Sequence, residues 1–225
     1  MSCVRLESDR IILRPLGPGD APALGTAMRD ANVTETNQFE APARTSEEGT
    51  ERALARIADF SDHWSRHGFG IFGVFERRAG SLIGYCGLRY NDEFDGDLHI
   101  STMIDRPFWS MGLGSEVVRR NLEFAFLELD LEPVYAASRP IQLASIRLIE
   151  NFGFQRLPDR MLRHYPMAYA ACSKEDFLVQ HVAYLKKRLA ALDQGRPAPM
   201  AAGLINGNGA AANGSAANGE AAARS

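Results

Sequence analysis

From Asp105 to Glu116 the chain reads Asp-Arg-Pro-Phe-Trp-Ser-Met-Gly-Leu-Gly-Ser-Glu. A strand-like run, residues 98–104, precedes it, and a helix-like run, residues 117–129, follows. A strand, a glycine-bearing loop and a helix N-terminus in that order can hold an anion. The first N–H groups of a helix have no internal partner, and the helix dipole adds positive potential there. Gly112 and Gly114 permit close backbone approach and tolerate positive φ. Met111, Gly112, Leu113, Gly114 and Ser115 are therefore the expected donors to a phosphate. The loop is not a Walker loop, because no Gly-Lys-Ser/Thr follows. Nor is it the dinucleotide fingerprint, because Val117 stands three residues after Gly114. A loop that merely caps a helix is the plainer reading of this stretch alone.

Other residues offer chemistry of their own. In the run Asp97-Leu-His-Ile-Ser-Thr-Met-Ile104, Leu98, Ile100, Thr102 and Ile104 alternate with Asp97, His99, Ser101 and Met103. An imidazole titrates near neutrality, so His99 is either a proton acceptor or a residue filling a polar strand face. His63 and His67 are four apart on a helical run, but no third ligand accompanies them, and no metal is expected. Asn91-x-Glu93-x-Asp95-Gly96 imitates the front of a calcium loop. Its closing bidentate Glu would fall on Thr102, which leaves a solvated loop or an acidic lip for a cationic ligand. Cys86 lies in an apolar run with no paired His in view and reads as core.

A second segment stands downstream: Arg139-Pro-Ile-Gln-Leu-Ala-Ser-Ile-Arg-Leu-Ile-Glu-Asn-Phe-Gly-Phe154. It reads as a loop, a short amphipathic helix, a Gly stop and a strand start. Together the two segments resemble the GNAT superfamily of acyl-CoA-dependent N-acyltransferases, and most of all its ribosomal-protein-alanine acetyltransferase-like branch. The matching residues are Ile104, Asp105, Phe108, Trp109, Gly112 and Glu116, then Pro140, Ala144, Ser145, Ile146, Arg147, Glu150, Gly153 and Phe154. Upstream, Asp9-Arg-Ile-Ile-Leu-Arg-Pro-Leu16, Gly68-Phe-Gly-Ile-Phe72 and Leu82-Ile-Gly-Tyr-Cys-Gly-Leu88 resemble the first three strands of the family. The likeness spans about residues 8–176.

The resemblance implies an α/β fold with a mixed, mostly antiparallel central sheet flanked by helices. It implies acetyl-CoA as co-substrate and an amine acceptor, either a protein N-terminus or a small molecule. The strand end at Met103 and Ile104 would splay from the next strand and bond the pantetheine and the thioester oxygen. Gln142 and Ser145 would bond the far side of that arm. His99 stands where relatives carry an acidic residue near the acceptor amine. Three positions depart from the family pattern: Ser110 replaces the usual loop Gly, Gln142 the usual Asn, and His99 the usual acid. Where many relatives place a Tyr acid, this chain has Ile149. A non-catalytic CoA-binding module that docks partners is the alternative, and a generic phosphate binder a third reading.

Composition fits one domain. Hydrophobic residues make up 45% and charged residues 24% of 225 residues. A net charge of −3 offers no pull toward nucleic acid or an anionic membrane. No apolar run reaches membrane-span length, and the first residues lack the apolar segment of a secretion signal, so a cytoplasmic protein is expected. Three scattered cysteines suggest reduced thiols. Strands are expected at 11–16, 69–76, 81–90, 134–138, 154–157 and 163–172, with a hairpin turn at 77–80. Thr45 and Glu48 form a capping-box signature at the start of a helix that Gly68 ends. The domains divide as 1–176, the acetyltransferase-like unit; 177–194, a helical extension that packs on the domain or on a twin subunit in a homodimer; and 195–225. That last segment is Ala, Gly and Asn-rich and cannot offset its ordering entropy by burial, so it is expected to be disordered.

Overall fold

The computed structural model describes residues 4–37 and 41–194. Phe39, considered with Trp64 and Phe69 as an acceptor-pocket aromatic, and the tail 195–225 lie outside them. Eight strands form one sheet: β1 (Leu6–Glu7), β2 (Ile11–Pro15), β3 (Ile71–Glu76), β4 (Leu82–Asn91), β5 (Asp97–Ile104), β6 (Val134–Ser138), β7 (Gln155–Leu162) and β8 (Tyr165–Cys172). Their order is β1-β2-β3-β4-β5-β6-β8-β7, antiparallel throughout except between β5 and β6. The helices are α1 (Ala21–Ala27), α2 (Ala31–Asn37), α3 (Ser46–His67), α4 (Leu113–Glu123), α5 (Leu143–Glu150) and α6 (Lys174–Asp193). No helix among the described residues is long and apolar enough to cross a membrane.

Each face of the sheet buries its own core. Val117, Val118 and Leu122 of α4 pack with Phe72, Val74, Ile100 and Ile104, together with Ile149, Phe152 and Phe177. On the other face Leu24 and Met28 pack with Val33, Ile57, Phe60, Ile71, Tyr85 and Met103. Strand alternation thus splits neighbours such as Met103 and Ile104 between the two cores. α1 and α3 cross so closely that a Cβ on Gly25 would stand 2.6 Å from the Gly49 carbonyl carbon.

The helix ends fall at the residues expected, but the capping box is only half formed, because the Glu48 carboxylate accepts from the Arg44 N–H at 2.7 Å and not from the Thr45 N–H. The Thr45 hydroxyl accepts from the Glu48 N–H at 3.1 Å, and Gly68 ends α3 at φ +75°. The Ser173 hydroxyl caps α6 by accepting from the Asp176 N–H at 3.1 Å. One boundary is corrected. The strand expected at 154–157 runs on to Leu162, and the turn falls at Arg163 with φ +55°. Pro158 looks like a strand breaker, but β7 is an edge strand, and a register shift between Leu157 and Arg160 accommodates it.

Candidate functional site

The site begins with a failure to pair. β5 and β6 run parallel yet share one register pair, His99 with Tyr135. β5 continues to Ile104 and β6 to Ser138, leaving a notch that opens toward the C-terminal ends of both strands. Antiparallel geometry decides which backbone groups line it. The Asp105 N–H donates to the Ile83 carbonyl at 2.8 Å, and the Met103 carbonyl approaches Gly84. Residues 103 and 105 therefore turn toward β4, and alternation turns Thr102 and Ile104 toward the notch. This corrects one expected contact: Ile104 faces the gap, whereas the backbone of Met103 faces β4 and its side chain packs with α1 and α3. Thr102, which sequence reading passed over, turns its backbone toward the gap together with Ile104. The Ile104 carbonyl already accepts from the Trp109 indole N–H at 2.5 Å, which ties the loop to the strand end.

At the lip of the notch, Asp105 enters a 3-10 turn, Arg106–Phe108, that leads to the glycine loop. Ser110 takes φ +62° and Gly112 φ +73°, both left-handed. The position where relatives carry Gly thus adopts a conformation that favours Gly, and serine bears it here. Gly114, by contrast, lies inside the first turn of α4 with ordinary helical backbone, and a Cβ there would meet only Leu148, at 3.8 Å. The first helix-bonded amide is that of Glu116, to the Gly112 carbonyl at 3.2 Å. The N–H groups of Leu113, Gly114 and Ser115 therefore point out of the helix end. Met111 is 50% exposed beside them.

The carboxylate in this first turn does not block an anion, because it faces elsewhere. Glu116 accepts from the Arg10 N–H at 2.8 Å, the Arg10 Nε–H at 2.7 Å and the Ser8 hydroxyl at 2.5 Å. Arg10 also donates to the Met111 carbonyl at 2.8 Å, so one side chain clamps loop and helix to β2. Across the notch, Gln142 begins α5. Its Oε1 accepts from the Arg139 N–H at 3.1 Å, and its carbonyl accepts from the Ser145 N–H at 3.0 Å. Gln142 thus shapes the loop that follows β6, and Ser145 stands in the first turn of α5.

His99 sits at the closed end of the notch. It is 4% exposed, stacks on Phe94 at 4.8 Å and lies 3.1 Å from the Tyr169 hydroxyl through Nε2. The Tyr169 hydroxyl donates to Asp97 at 2.5 Å, and Arg160 pairs with Asp97 at 3.1 Å. Burial pushes the imidazole down to about 4, against the pull of Asp97, so the ring is neutral at ordinary pH. The acidic loop is spent in the same region: Arg163 pairs with Glu93 at 3.1 Å and Arg160 with Asp95 at 3.4 Å. His63 is also committed. Its Nε2 accepts from the Tyr90 N–H at 3.1 Å, so its Nδ1–H donates to the Phe69 carbonyl at 3.0 Å, and neither nitrogen is left for a metal. Cys86 is fully buried, and burial pushes its thiol up to about 12.

Asp105 was passed over as a titrating group. Its Oδ1 is buried without a hydrogen-bond partner, and its side chain does not cap the turn it begins. Burial, and then the nearby Asp30, push this carboxyl up to about 6.

The family model for the acetyltransferase (GNAT) domain matches residues 10–155. The chain is 26% identical over 163 residues to the uncharacterized N-acetyltransferase p20 of Bacillus licheniformis, covering 72% of this chain and 88% of that one. It is 28% identical over 160 residues to the uncharacterized N-acetyltransferase YoaA of Bacillus subtilis, covering 71% and 86%. The ribosomal-protein-S5-alanine acetyltransferase of Vibrio fischeri superposes with a TM-score of 0.60 at 16% identity, over 77% of this chain and 98% of that one. A notch between parallel strands, an anion-ready helix end beside it and a family match across both place this chain in the GNAT family of N-acetyltransferases.

Proposed function

We propose that this protein moves an acetyl group from acetyl-CoA to a primary amine by direct attack, without an acyl-enzyme. The supporting observation is the notch, where β5 runs past its last pair with β6 and turns the backbone of Thr102 and Ile104 into the gap. An extended, amide-bearing pantetheine arm can complete the interrupted ladder there, with Gln142 and Ser145 on its far side. The N–H groups of residues 113–115 suit the pyrophosphate. The Ile104 N–H faces the place where a thioester oxygen would gain charge, and a fixed donor there lowers the barrier. Holding the amine against the thioester supplies much of the remainder. Ile149 is buried in the core, so the leaving thiolate finds no side-chain acid at that position. His99 serves from behind, fixing the strand end through Tyr169. We rank a protein N-terminus ahead of a small amine as acceptor, a reading in keeping with a ribosomal-protein-S5-alanine acetyltransferase among the proteins of similar fold. The acidic balance of the chain fits neither nucleic acid nor an anionic membrane as partner.

The second half of α6 belongs to the same reading. Phe177 is buried in the main core, and Arg188 pairs with Asp9 at 2.6 Å. On the outer side Val182, Leu185, Leu189 and Leu192 stand exposed at alternating spacings of three and four, a coiled-coil seam. We assign that seam to a second copy of the chain. Ending the chain at Gln194 should leave a dimer in sedimentation, while ending it at Lys174 should give a less stable monomer. Identical behaviour of the two truncations would exclude this role.

CoA release from acetyl-CoA, measured with Ala-initiated and Ser-initiated peptides, spermidine and lysine, tests the activity. Release with one class of amine supports the reading and identifies the acceptor. Acetyl-CoA binding with no release from any amine leaves a non-catalytic module. Stabilisation by ATP but not by acetyl-CoA leaves a phosphate binder.

A further inference from the structure

The end of β5 carries a carboxylate without a partner, in a protein whose other partly buried acids are mostly engaged. Asp20 is paired with Arg14 at 2.8 Å, Glu116 with Arg10, and Asp97 with Tyr169 and Arg160. Asp105 Oδ1 has no hydrogen-bond partner among the described residues and no solvent contact. Leaving such an oxygen unsatisfied is costly, and a catalytic or ligand-binding role is one reason such a group is kept. Asp105 follows Ile104 directly and shares strand parity with Met103, so it lies on the face of the sheet covered by α1 and α2. The anion-ready end of α4 belongs to the opposite face. Asp30, at the junction of α1 and α2, acts on Asp105 electrostatically, and Arg106 acts on Asp30. Asp30 itself is held by the N–H and Nδ2–H of Asn32, at 2.8 and 3.0 Å. A cation entering from this face meets two carboxylates, one satisfied and one not. Asp105 remains partly exposed, and rotation about its χ2 exchanges its two oxygens, so an incoming ammonium can reach it.

We propose that Asp105 is the catalytic base of this enzyme, binding the acceptor ammonium between itself and Asp30 and removing its first proton. The proton balance is complete. The ammonium gives one proton to the Asp105 carboxylate and becomes a neutral amine. Nitrogen attacks the thioester carbon, the C–N bond forms, and the C–S bond breaks with its electron pair on sulfur. The second proton of nitrogen goes to the thiolate, and Asp105 returns its own proton to solvent. A carboxyl held near 6 accepts a proton more readily than an ordinary aspartate, and above that pH it is ready in its charged form.

The inference rests on the acetyl-transfer reading, and its test separates the two. Wild type, Asp105→Asn and Asp105→Glu are assayed with acetyl-CoA and an Ala-initiated hexapeptide from pH 5 to 9. Acetyl-CoA affinity is measured by calorimetry and folding by thermal melting. The expected result is a wild-type kcat/KM that falls below about pH 6. Asp105→Asn should lose about 10²-fold or more together with that limb, keep acetyl-CoA affinity within about twofold, and be partly rescued by Asp105→Glu. An active Asp105→Asn enzyme that retains the limb overturns the proposal and leaves the acetyltransferase intact. Should wild type transfer to no amine, ethylammonium chloride decides. If it raises the Tm of wild type and not of Asp105→Asn, the ammonium site stands and catalysis falls; if it shifts both or neither, the proposal falls entirely.

Discussion

The two ends of β5 hold a titratable side chain each, and burial has driven both toward neutrality from opposite directions. At the closed end His99 goes down to about 4; at the open end Asp105 goes up to about 6. Their surroundings differ in one respect. His99 has an aromatic stack and a hydroxyl that is itself bonded to Asp97, whereas Asp105 keeps an oxygen that no described residue satisfies. A buried polar group whose partners are all within the chain holds structure together. One that lacks a partner, beside an open notch, is available to a ligand. The shift in pKa alone does not distinguish them; the hydrogen-bond count does.

The comparison breaks most visibly at the glycine loop of the open end. Gly112→Asp would put a carboxylate beside the free amides of α4 and force an L side chain into φ +73°. A folded variant is expected to lose the thermal shift given by acetyl-CoA altogether, and a wild-type shift would remove the anion site from the notch. Next in size is activity at the two ends. His99→Asn should change kcat/KM by less than about tenfold, against the hundredfold loss expected of Asp105→Asn. Steady-state rates with the Ala-initiated peptide would invert the assignment if the order were reversed. Smaller again is Tyr169→Phe, which deprives His99 and Asp97 of a shared partner. It should cost about 1–3 kcal/mol in denaturant unfolding while sparing turnover.

The sharpest comparison is the pH dependence of stability. His99 titrates ordinarily at 6.5 and in the fold at about 4, so its contribution is present above 6.5 and lost as pH falls toward 4. Asp105 runs the other way, from 3.8 to about 6, so its contribution is present below 3.8 and lost as pH rises through 6. In melting scans from pH 4 to 8, the Tm of Asp105→Asn should gain on wild type as pH rises. That of His99→Asn should gain as pH falls. Parallel curves would show that neither side chain is desolvated as described.

Much of this architecture is legible in the residues. Glycines and a following helix pattern mark a helix end with free amides, Thr45 marks a helix start, and alternation marks β5. Pairing across strands distant in sequence is not. Nothing local in Asp97–Ile104 says that Tyr169 arrives from β8 to engage His99, so an exposed base and a buried strut look alike in the sequence. Met103 illustrates the same limit, since its parity within the strand is readable but the direction of β4 is not. Asp105 was readable as a motif residue, and only the fold shows that its oxygen lacks a partner. Pro158 misleads for a local reason: its missing N–H matters in a central strand and hardly at all on an edge.

The indole that ties the glycine loop to β5 also gives the protein an optical handle. Of the two tryptophans, Trp64 packs against Phe72 with its N–H bonded to the Ile71 carbonyl, shielded from the notch. Trp109 is 41% exposed, with its N–H on the Ile104 carbonyl at the mouth of the gap. Anything that fills the gap changes the polarity around that ring. In a Trp64→Phe background the emission of Trp109 becomes a built-in fluorescent reporter of occupancy, readable in a stopped-flow cell before any product forms.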